Sequence, residues 1–415
     1  MTKQSHKGSA ISPNGVSWTP VDEALEHLRL SLKPILDFEF INVSDSLDYI
    51  LYEDILAKRS NPPVGNTAVD GFGFAHQSIK NQNRKLNLCV DRITAGDSYQ
   101  GIVPQGSAIK ILTGAELPRG VDTVVLQEEV TIENDNIILN TDLKRGENTR
   151  KVGEDIEKGK CVLTKGSKIR AQDIALLIAT GINQIKVYLP LKIGILSTGN
   201  ELIHKVSNKD SNKTLDANRP MLMNIVKKWG YQSIDLGNVN DNETEIKTKL
   251  NIASGICDII FTSGGASTGD EDYVGRLLES GGNLYNWRIA MKPGRPLALA
   301  KWNDTPVIGL PGNPVAAFVC TIVFGRPICG LLSGEGWLKP NSFQVPAAFS
   351  KNKKIGRREY LRARVKNGKV EIFHSEGSGR ISSLSWADGL VELREENSKV
   401  NLGDLVKYIP FSGIF

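Results

Sequence analysis

The chain has 415 residues, of which 40% are hydrophobic and 23% are charged, and its formal net charge is +5. This length exceeds what one hydrophobic core supports, so we expect three or four domains. The small positive surplus contains no block of basic residues, and such a distribution favours an ordinary solvated surface over nucleic-acid binding.

The N-terminal segment MTKQSHKGSAISPNGVS, residues 1–17, has no apolar core and no periodicity. This predicts a loose tail and not a signal peptide. The longest apolar run, VAAFVCTIVF, stops at Gly325 and Arg326, short of the roughly 20 residues of a membrane span. We therefore expect a soluble, cytoplasmic protein with no membrane partner. The five cysteines and five histidines are scattered, so disulfides and zinc sites are not expected.

The first half of the chain predicts helices that flank a β-rich segment. TPVDEALEHLRLSL predicts a helix with Thr19 as its N-cap and Pro20 in its first position. A second helix is predicted over SDSLDYILYEDILA, residues 44–57. From about Leu86 to Asn140, short strands alternate with glycine turns, which predicts a small β-rich domain. A further helix, AQDIALLIATGI, follows it and is expected to rejoin the N-terminal helices.

From Leu191 onward, apolar strand-like runs alternate with helical patterns as far as about residue 333. Such alternation predicts a doubly wound, mainly parallel sheet with helices on both faces. Beyond Gly334 the chain returns to strand patterns, which predicts a C-terminal β-domain. Ligands of doubly wound sheets bind outside the carboxyl ends of the strands, so the loops at those ends are the first place to look for a site.

Four loops follow strands of this α/β segment, and they read STGNEL, NVNDN, SGGASTGDEDY and PGNP. Because parallel strands end at one edge, the carboxylates of these loops are candidates for a single acidic cluster: Glu201, Asp241, Asp270 and Asp272. Glycine amides at strand exits can approach a phosphate closely. Magnesium commonly joins carboxylates to substrate phosphates, so the pattern predicts an anion and Mg2+ site. Taken singly, each loop is more typical of a structural turn.

Basic residues supply the opposite charge in RIAMKPGRPLALA, where Arg288, Lys292 and Arg295 flank a Pro-Gly turn. Such residues can hold oxyanions, although an exposed basic edge strand would look the same. NTAVDGFGF isolates Asp70 in a glycine-flanked loop, where capping of a turn is the simpler interpretation. No GxxxxGK[ST] segment occurs, which disfavours a P-loop nucleotidase.

Assembled in order, these motifs resemble the molybdopterin molybdotransferases of molybdenum-cofactor biosynthesis, which are relatives of the plant and gephyrin E domains. The resemblance runs from about Trp18 to the C-terminus and rests on these segments: NTAVDGFGF, ILTGAELP, VVLQEE, NTRKVGEDI, STGNEL, DANRPML, TSGGASTGDEDYV, MKPGRP and LPGNPVAA.

The resemblance implies a multidomain α/β and β fold. We predict a discontinuous, elongated helical domain over 18–60 and 147–190, and an inserted β-rich domain over 61–146. An α/β molybdopterin-binding domain is predicted over 191–333, and a C-terminal β-barrel domain over 334–415. Family members act as homodimers whose site is shared across the interface, which would bring Asp70 and Thr113 of the partner subunit to the acidic cluster.

The implied reaction inserts molybdenum from molybdate into adenylylated molybdopterin and releases AMP with the help of Mg2+. Motif by motif, the resemblance predicts catalytic roles for five residues: Asp70, Asp155, Glu201, Asp241 and Asp272. It predicts Mg2+ ligands among Glu201, Asp241 and Asp272. The substrate-binding residues that we predict from the loops and the resemblance are Thr113, Ser263, Gly264, Gly265, Ser267, Arg288, Lys292, Arg295, Pro311, Pro314, Arg362 and Ser378.

Within this set, Asp272 is preferred to Asp270, Glu271 is expected to face solvent, and Asp70 is assigned to proton transfer at departing oxygens. Asn200 stands where many family members carry Asp, so it is not expected to bind the metal. The alternatives are a tungstate-inserting or specialised paralogue and a non-catalytic scaffold of the gephyrin type. A molybdopterin adenylyltransferase is the expected protein partner.

Overall fold

The computed structural model describes residues 10–11, 17–82, 84–204, 212–264, 273–281, 285–294, 296–375 and 377–414; at 10, 11, 17, 80–82, 285–287 and 296 it describes the backbone alone. The chain forms two compact units. One unit comprises residues 40–187, and the other comprises 1–39 together with 188–415. This division does not separate the helical and inserted domains that the sequence suggests, so those boundaries stay predictions.

The unit over residues 40–187 is built on a six-stranded sheet. Its strands, in spatial order, are Val130–Glu133, Asn136–Leu139, Lys85–Ile93, Ser107–Ile111, Gly71–Phe74 and Thr123–Leu126. Neighbouring residues such as Ala108 and Ile109 enter different apolar clusters. Because side chains alternate along a strand, apolar residues cover both faces of this sheet.

Shorter elements complete this unit. The two-residue strands Asn66–Thr67 and Thr149–Arg150 pair with each other, as do Ile55–Leu56 and Cys161–Leu163. The helix Ala171–Ala179 packs into a third apolar cluster, and 3-10 turns lie at Val43–Asp45, His76–Gln82 and Gln127–Glu129. The ribbon of Phe38–Asn42 and Gln184–Tyr188 lies at the boundary of the two units.

The prediction of a helix over residues 44–57 is wrong. This segment forms the 3-10 turn Val43–Asp45, single β-bridges at Ile50 and Leu51, and the strand Ile55–Leu56. Asp48 adopts a φ of 67°, and the N–H groups of Asp48 and Leu51 donate to the carbonyls of Ile169 and Ser167. Pairing with this distant segment therefore replaces the hydrogen bonds that a helix would make.

The second unit contains a six-stranded α/β sheet, and its strands are numbered here along the chain. They are β1 (Lys192–Thr198), β2 (Gln232–Val239), β3 (Ile259–Ser263), β4 (Tyr285–Arg288), β5 (Pro296–Trp302) and β6 (Thr305–Leu310). The spatial order is β2-β1-β3-β6-β5-β4, in which the first four strands run parallel and β5 is antiparallel to both its neighbours. The predicted doubly wound, mainly parallel sheet is thereby confirmed.

Helices cover both faces of this sheet. They are Asn218–Lys228, Glu243–Ser254, Tyr273–Gly281, and Pro314–Cys320, which continues through a π turn at Thr321–Gly325 into Arg326–Leu332. On β3, Ile260 joins the apolar cluster of Glu243–Ser254 and Tyr273–Gly281. Its neighbour Phe261 lies instead against Gly325 of the helical run Pro314–Leu332. Consecutive strand residues thus bury against helices of opposite layers.

The helical run Pro314–Leu332 is long and apolar enough to span a membrane, and in the described part of the chain it is the single such helix. The helix does not stop at Gly325 as the sequence suggested, because it continues for 19 residues in all. The run is 89% buried within the protein, which is typical of a core helix. Its one charge, Arg326, is 3.2 Å from Glu335 and donates to the Tyr231 hydroxyl at 2.7 Å.

A C-terminal β-domain completes the second unit. Its sheet orders the strands Met291–Lys292, Arg358–Lys366, Gly389–Leu393, Leu405–Pro410 and Phe343–Pro346, and Lys369–Ile372 pairs with Arg358–Lys366. Lys351–Asn352 pairs with Lys399–Val400, and Ser382–Trp386 is helical. The strand Met291–Lys292 comes directly after the α/β strand β4 but pairs in the C-terminal sheet. This exchange brings the two domains together beside Lys292.

N-terminal elements also belong to this unit. The backbone pair Ala10–Ile11 and Ser17–Trp18 precedes the helix Val21–Ser31. Thr19 does not cap that helix, contrary to the sequence prediction, since the helix begins after Pro20 without a side-chain cap. The Thr19 amide donates instead to the Arg288 carbonyl at 2.9 Å.

Candidate active site at the carboxyl ends of the parallel strands

The predicted loops meet at one edge of the sheet because the four parallel strands end in register. Thr198 on β1 lies opposite Val239 on β2, and Ser263 on β3 lies between Ser197 and Leu310. The loops that begin at Gly199, Asn240, Gly264 and Pro311 therefore leave the sheet side by side.

Two of these loops are joined by a reciprocal pair of hydrogen bonds. The amide of Asn200 donates to Asp241 Oδ2 at 3.1 Å, and the amide of Asp241 donates to Asn200 Oδ1 at 3.0 Å. Asn200, which was not expected to bind the metal, thus holds Asp241 in position. Glu201 follows directly, and its carboxylate lies so close to Gly199 that a Cβ there would be 2.6 Å from Oε2.

A cavity of about 110 Å3 opens at this edge. It brings together the predicted residues Glu201, Ser263, Gly264 and Pro314. The cavity is also lined by residues that the sequence reasoning did not single out: Thr198, Leu202, Thr214, Leu215, Asp216, Ala217, Asn218 and Gly312. Among these described lining residues, Glu201 and Asp216 are acidic and no lysine or arginine occurs. Asp216 is already paired with Arg219 at 3.0 Å, so Glu201 is the carboxylate of this lining that could bind a cation beside an anionic ligand.

The glycines of this edge shape the cavity. Gly264 has a φ of +95°, and a Cβ there would lie 2.3 Å from the Thr198 carbonyl oxygen. Gly312 approaches it so closely that its own Cβ would be 3.6 Å from the Gly264 Cα. The Gly264 amide donates to the Leu310 carbonyl at 3.3 Å. Gly264 is therefore a close-packed turn residue, and its own N–H is already used within the sheet.

Asn218 connects the loops across the cavity floor. It is 7% exposed, and its Nδ2 donates to Ser263 Oγ and to the Gly312 carbonyl, each at 2.7 Å. Since a carbonyl can only accept, these bonds assign Nδ2 and Oδ1 of the amide. Within the described part of the chain, its Oδ1 and the Thr198 hydroxyl are buried without a hydrogen-bond partner. Buried polar atoms of this kind are expected to bond to a ligand or water.

The C-terminal domain and the turn after Lys292 both reach the same neighbourhood. A Cβ on Gly379 would be 3.9 Å from Asn313 Nδ2, which places the half-buried Ser378 turn beside the loop Pro311–Pro314. At Gly294 a Cβ would be 2.4 Å from Cys320 Sγ. The turn after Lys292 therefore packs on the helix that begins at the cavity.

The basic residues predicted to hold oxyanions differ in their surroundings. Arg288 ends strand β4 and is exposed. The Lys292 side chain is 38% exposed, and its Nζ is 3.9 Å from Glu359 Oε1. Arg362 is only 3% exposed and donates to Ser383 Oγ at 3.0 Å and to the Ser375 carbonyl at 2.8 Å. In this structure Arg362 therefore holds the loop before Ser378.

The remaining predicted residues of the first unit, Asp70, Thr113 and Asp155, are all exposed. Asp70 Oδ1 accepts hydrogen bonds from the Thr113 amide at 2.7 Å and from the Thr113 hydroxyl at 2.6 Å. These bonds lower the pKa of the Asp70 carboxyl. Asp155 is exposed and accepts from Asn61 Nδ2 at 2.9 Å. The predicted residues Gly265, Ser267, Asp272 and Arg295, with Asp270 and Glu271, lie outside the described residues.

Comparison with known proteins decides the family. Three family models match in succession: the MoeA N-terminal region (domains I and II) over 19–181, a probable molybdopterin-binding domain over 194–330, and the MoeA C-terminal region (domain IV) over 344–411. A molybdopterin molybdenumtransferase from Haemophilus influenzae is 34% identical over 94% of this chain and 98% of its own length. The chain belongs to the molybdopterin molybdenumtransferase family. It is accordingly an enzyme of molybdenum-cofactor biosynthesis.

Other relatives agree with this membership. A molybdopterin molybdenumtransferase from Nostoc is 32% identical over 72% of this chain and 71% of its own length. Gephyrin from Dictyostelium discoideum is 30% identical over 97% of this chain, which spans 63% of that protein. The solved structure of the molybdopterin biosynthesis moeA protein from Pyrococcus horikoshii OT3 matches with a TM-score of 0.84, at 28% identity, over 95% of this chain and 100% of that one. The multidomain family fold is thereby confirmed.

Proposed function

We propose that this chain inserts molybdenum from molybdate into adenylylated molybdopterin and releases AMP with the help of Mg2+, in the cytoplasm. The observation that supports this most directly is the cavity in which Glu201 lies with Ser263 and Gly264 at the carboxyl ends of the parallel strands. Ligands of doubly wound sheets bind at this edge. The orphaned polar atoms of Thr198 and Asn218 add hydrogen-bonding capacity for such a ligand.

The donor set at this edge fits Mg2+. Glu201 and Asp241 supply carboxylates from neighbouring strand ends, and Asp272 is the third proposed ligand. Within the described residues, no three His, Cys, Asp or Glu side chains form a metal site. Mg2+ commonly shares its coordination with substrate phosphates and needs only one or two protein carboxylates. When bound, Mg2+ would neutralise phosphate charge at the phosphorus that is attacked.

The other predicted residues would bind and orient the two substrates. Arg288 and Lys292 would attract molybdate, and Arg362 would support the Ser378 turn through its bonds to Ser375 and Ser383. Asp155, Gly265, Ser267, Arg295, Pro311 and Pro314 would complete the substrate contacts. We also propose a homodimer, in which Asp70 and Thr113 of the partner subunit complete the site, and a molybdopterin adenylyltransferase as the source of the substrate.

The test is AMP release from purified protein supplied with adenylylated molybdopterin, Mg2+ and molybdate. Glu201→Gln should lower the rate by roughly a hundredfold, because it removes a charge that helps hold the metal at the transition state. Glu279→Gln removes an exposed carboxylate from the helix Tyr273–Gly281 of the same domain and should leave the rate unchanged.

Two outcomes would contradict this proposal. Folded protein that releases no AMP would favour a non-catalytic scaffold. Faster turnover with tungstate than with molybdate would instead indicate a tungsten-inserting enzyme.

A further inference from the structure

Strand pairing in the C-terminal sheet positions Lys292. The strand Met291–Lys292 runs parallel to Arg358–Lys366, with Met291 opposite Arg358 and Lys292 opposite Glu359. The Arg358 amide also donates to the Ala290 carbonyl at 2.8 Å. Both the backbone and the side chain of Lys292 therefore lie beside Glu359.

The Glu359 carboxylate is buried between two ammonium groups. Its side chain is 5% exposed, with Oε1 3.9 Å from Lys292 Nζ and Oε2 3.3 Å from Lys351 Nζ. The Lys351 side chain is 8% exposed, whereas that of Lys292 is 38% exposed. Of this Lys292–Glu359–Lys351 triad, Lys292 is thus the member that reaches solvent.

A third lysine lies in the field of the same carboxylate. Lys353 is buried, and its ammonium donates to the carbonyls of Lys354, Glu395 and Asn397 at 3.1 to 3.3 Å. Its charge interacts with that of Glu359. The Lys353 charge also interacts with those of Glu395 and Glu396, so Lys351, at 3.3 Å, is the buried charge that directly faces Glu359.

The burial of Lys351 and Glu359 behind Lys292 determines the net charge that an approaching oxyanion meets. A buried carboxylate paired with Lys292 alone would cancel the lysine charge and would repel an approaching oxyanion. Lys351 sits on the other oxygen and offsets the carboxylate from inside the protein. Interactions between buried charges are weakly screened, so this inner charge is felt at the Lys292 ammonium.

We propose that Glu359 and Lys351 are positioning residues for oxyanion binding. Glu359 fixes the Lys292 ammonium, and Lys351 balances Glu359 so that Lys292 keeps a net attraction for molybdate. This inference rests on the proposed function, in which Lys292 binds molybdate.

The test measures molybdate binding to full-length protein by equilibrium dialysis, together with KM and kcat for AMP release. Lys351→Met should weaken molybdate binding by about tenfold and should raise KM for molybdate with little change in kcat, since one nearby charge is lost. Lys351→Arg keeps the charge and should bind molybdate like the wild type. Lys354→Met removes an exposed lysine three residues away and should change affinity by less than about twofold.

The double variant Lys351→Met/Glu359→Gln separates charge from packing. It removes both members of a buried pair, which proteins tolerate better than the loss of one partner. The glutamine amide keeps an oxygen that can hold the Lys292 ammonium, and the charge balance there is restored, so molybdate affinity should return to within about threefold of the wild type. Thermal unfolding of each variant checks that the fold is kept.

The outcomes distinguish this inference from the proposed function. Wild-type affinity in folded Lys351→Met, or a double variant that binds as weakly as Lys351→Met, would overturn the role of the triad. Wild-type affinity in Lys292→Met would overturn the assignment of molybdate to Lys292 and the inference with it. If Lys292→Met loses molybdate binding while Lys351→Met keeps it, the proposed function stands and only the role of Lys351 is overturned.

Discussion

At the scale of single residues, Asp70 shows how local hydrogen bonds decide a chemical role. Two bonds from Thr113 reach one carboxylate oxygen and hold the pKa of Asp70 below its ordinary value of 3.8. Hydrogen bonds to the charged form favour that form. The Thr113 hydrogen bonds therefore favour the charged form of Asp70, which can attract a cation, orient a donor or accept a proton.

Thr113→Val should raise the pKa of Asp70 part of the way to its ordinary value, because the hydroxyl bond is lost while the backbone bond remains. A depressed folded-state pKa contributes stability above the unfolded pKa and loses it as the pH falls through the folded pKa. In the variant this contribution should be smaller, and its loss should be complete at a higher pH. Carboxyl chemical shifts followed through a pH titration measure the change.

Thr131→Val serves as the control for this titration, because Thr131 bonds to Asn140 in the same unit. An unchanged Asp70 pKa in Thr113→Val would show that the hydroxyl bond does not depress it.

The site residues that could be predicted are those fixed by strand ends. Glu201, Ser263 and Gly264 come together because parallel strands finish at one edge, a rule that applies before any side chain is placed. Asn218 could not be predicted from the sequence, because its hydrogen-bond partners Ser263 and Gly312 are 45 and 94 residues away along the chain. The burial of Lys351 could not be predicted either. A lysine is expected at the surface, and its burial here depends on pairing with Glu359.

At the scale of elements, the apolar strands of the α/β sheet were predictable, whereas residues 44–57 were not. The strand β3, Ile259–Ser263, is buried throughout, as expected for a central parallel strand with helices on both faces. The segment 44–57 carries apolar residues that suit either a helix or a bridge. Backbone bonds to residues 167–169 decide between them, and no local pattern reveals those bonds.

The turn after β3 gives a prediction at this scale. Gly264→Ala places a Cβ 2.3 Å from the Thr198 carbonyl at a φ of +95°. Gly368→Ala meets the same backbone penalty at a φ of +72°, with nothing within 4 Å. Both should lose about 1 kcal/mol from the left-handed conformation, and Gly264→Ala should lose a further ~1–3 kcal/mol from overpacking. Urea unfolding measures both losses.

AMP release adds a second comparison for this pair, since only Gly264 lines the cavity. The Gly264 variant should lose activity, whereas the Gly368 variant should retain it. Equal stability and equal activity in the two variants would show that the close approach at Gly264 carries no constraint.

At the scale of the whole molecule, the predicted catalytic residues are divided between the two compact units. Asp70 and Asp155 belong to the unit over residues 40–187, whereas Glu201 and Asp241 belong to the other unit. Identity of 28% to the Pyrococcus horikoshii structure with a TM-score of 0.84 shows that the arrangement of elements persists through extensive sequence change. The question is whether a site takes both groups from one chain or from two subunits.

Mixing two inactive variants answers this question. If each site combines one unit of one subunit with the other unit of its partner, an Asp70→Asn subunit paired with a Glu201→Gln subunit has one site with both variants and one intact site. Random exchange makes about half of the dimers mixed, so roughly a quarter of wild-type AMP release should return. If both groups come from one chain, each site of the mixed dimer carries one variant, and no activity returns.

The mixture of Asp70→Asn with Asp155→Asn is the matched control. Both residues lie in the same unit, so every site in a mixed dimer lacks one of them under either arrangement, and this mixture should stay inactive. Activity in the control would show that Asp70 and Asp155 of one subunit serve different sites. Recovery confined to the Asp70→Asn and Glu201→Gln mixture would require a site shared between subunits, since no arrangement within one chain restores an intact set.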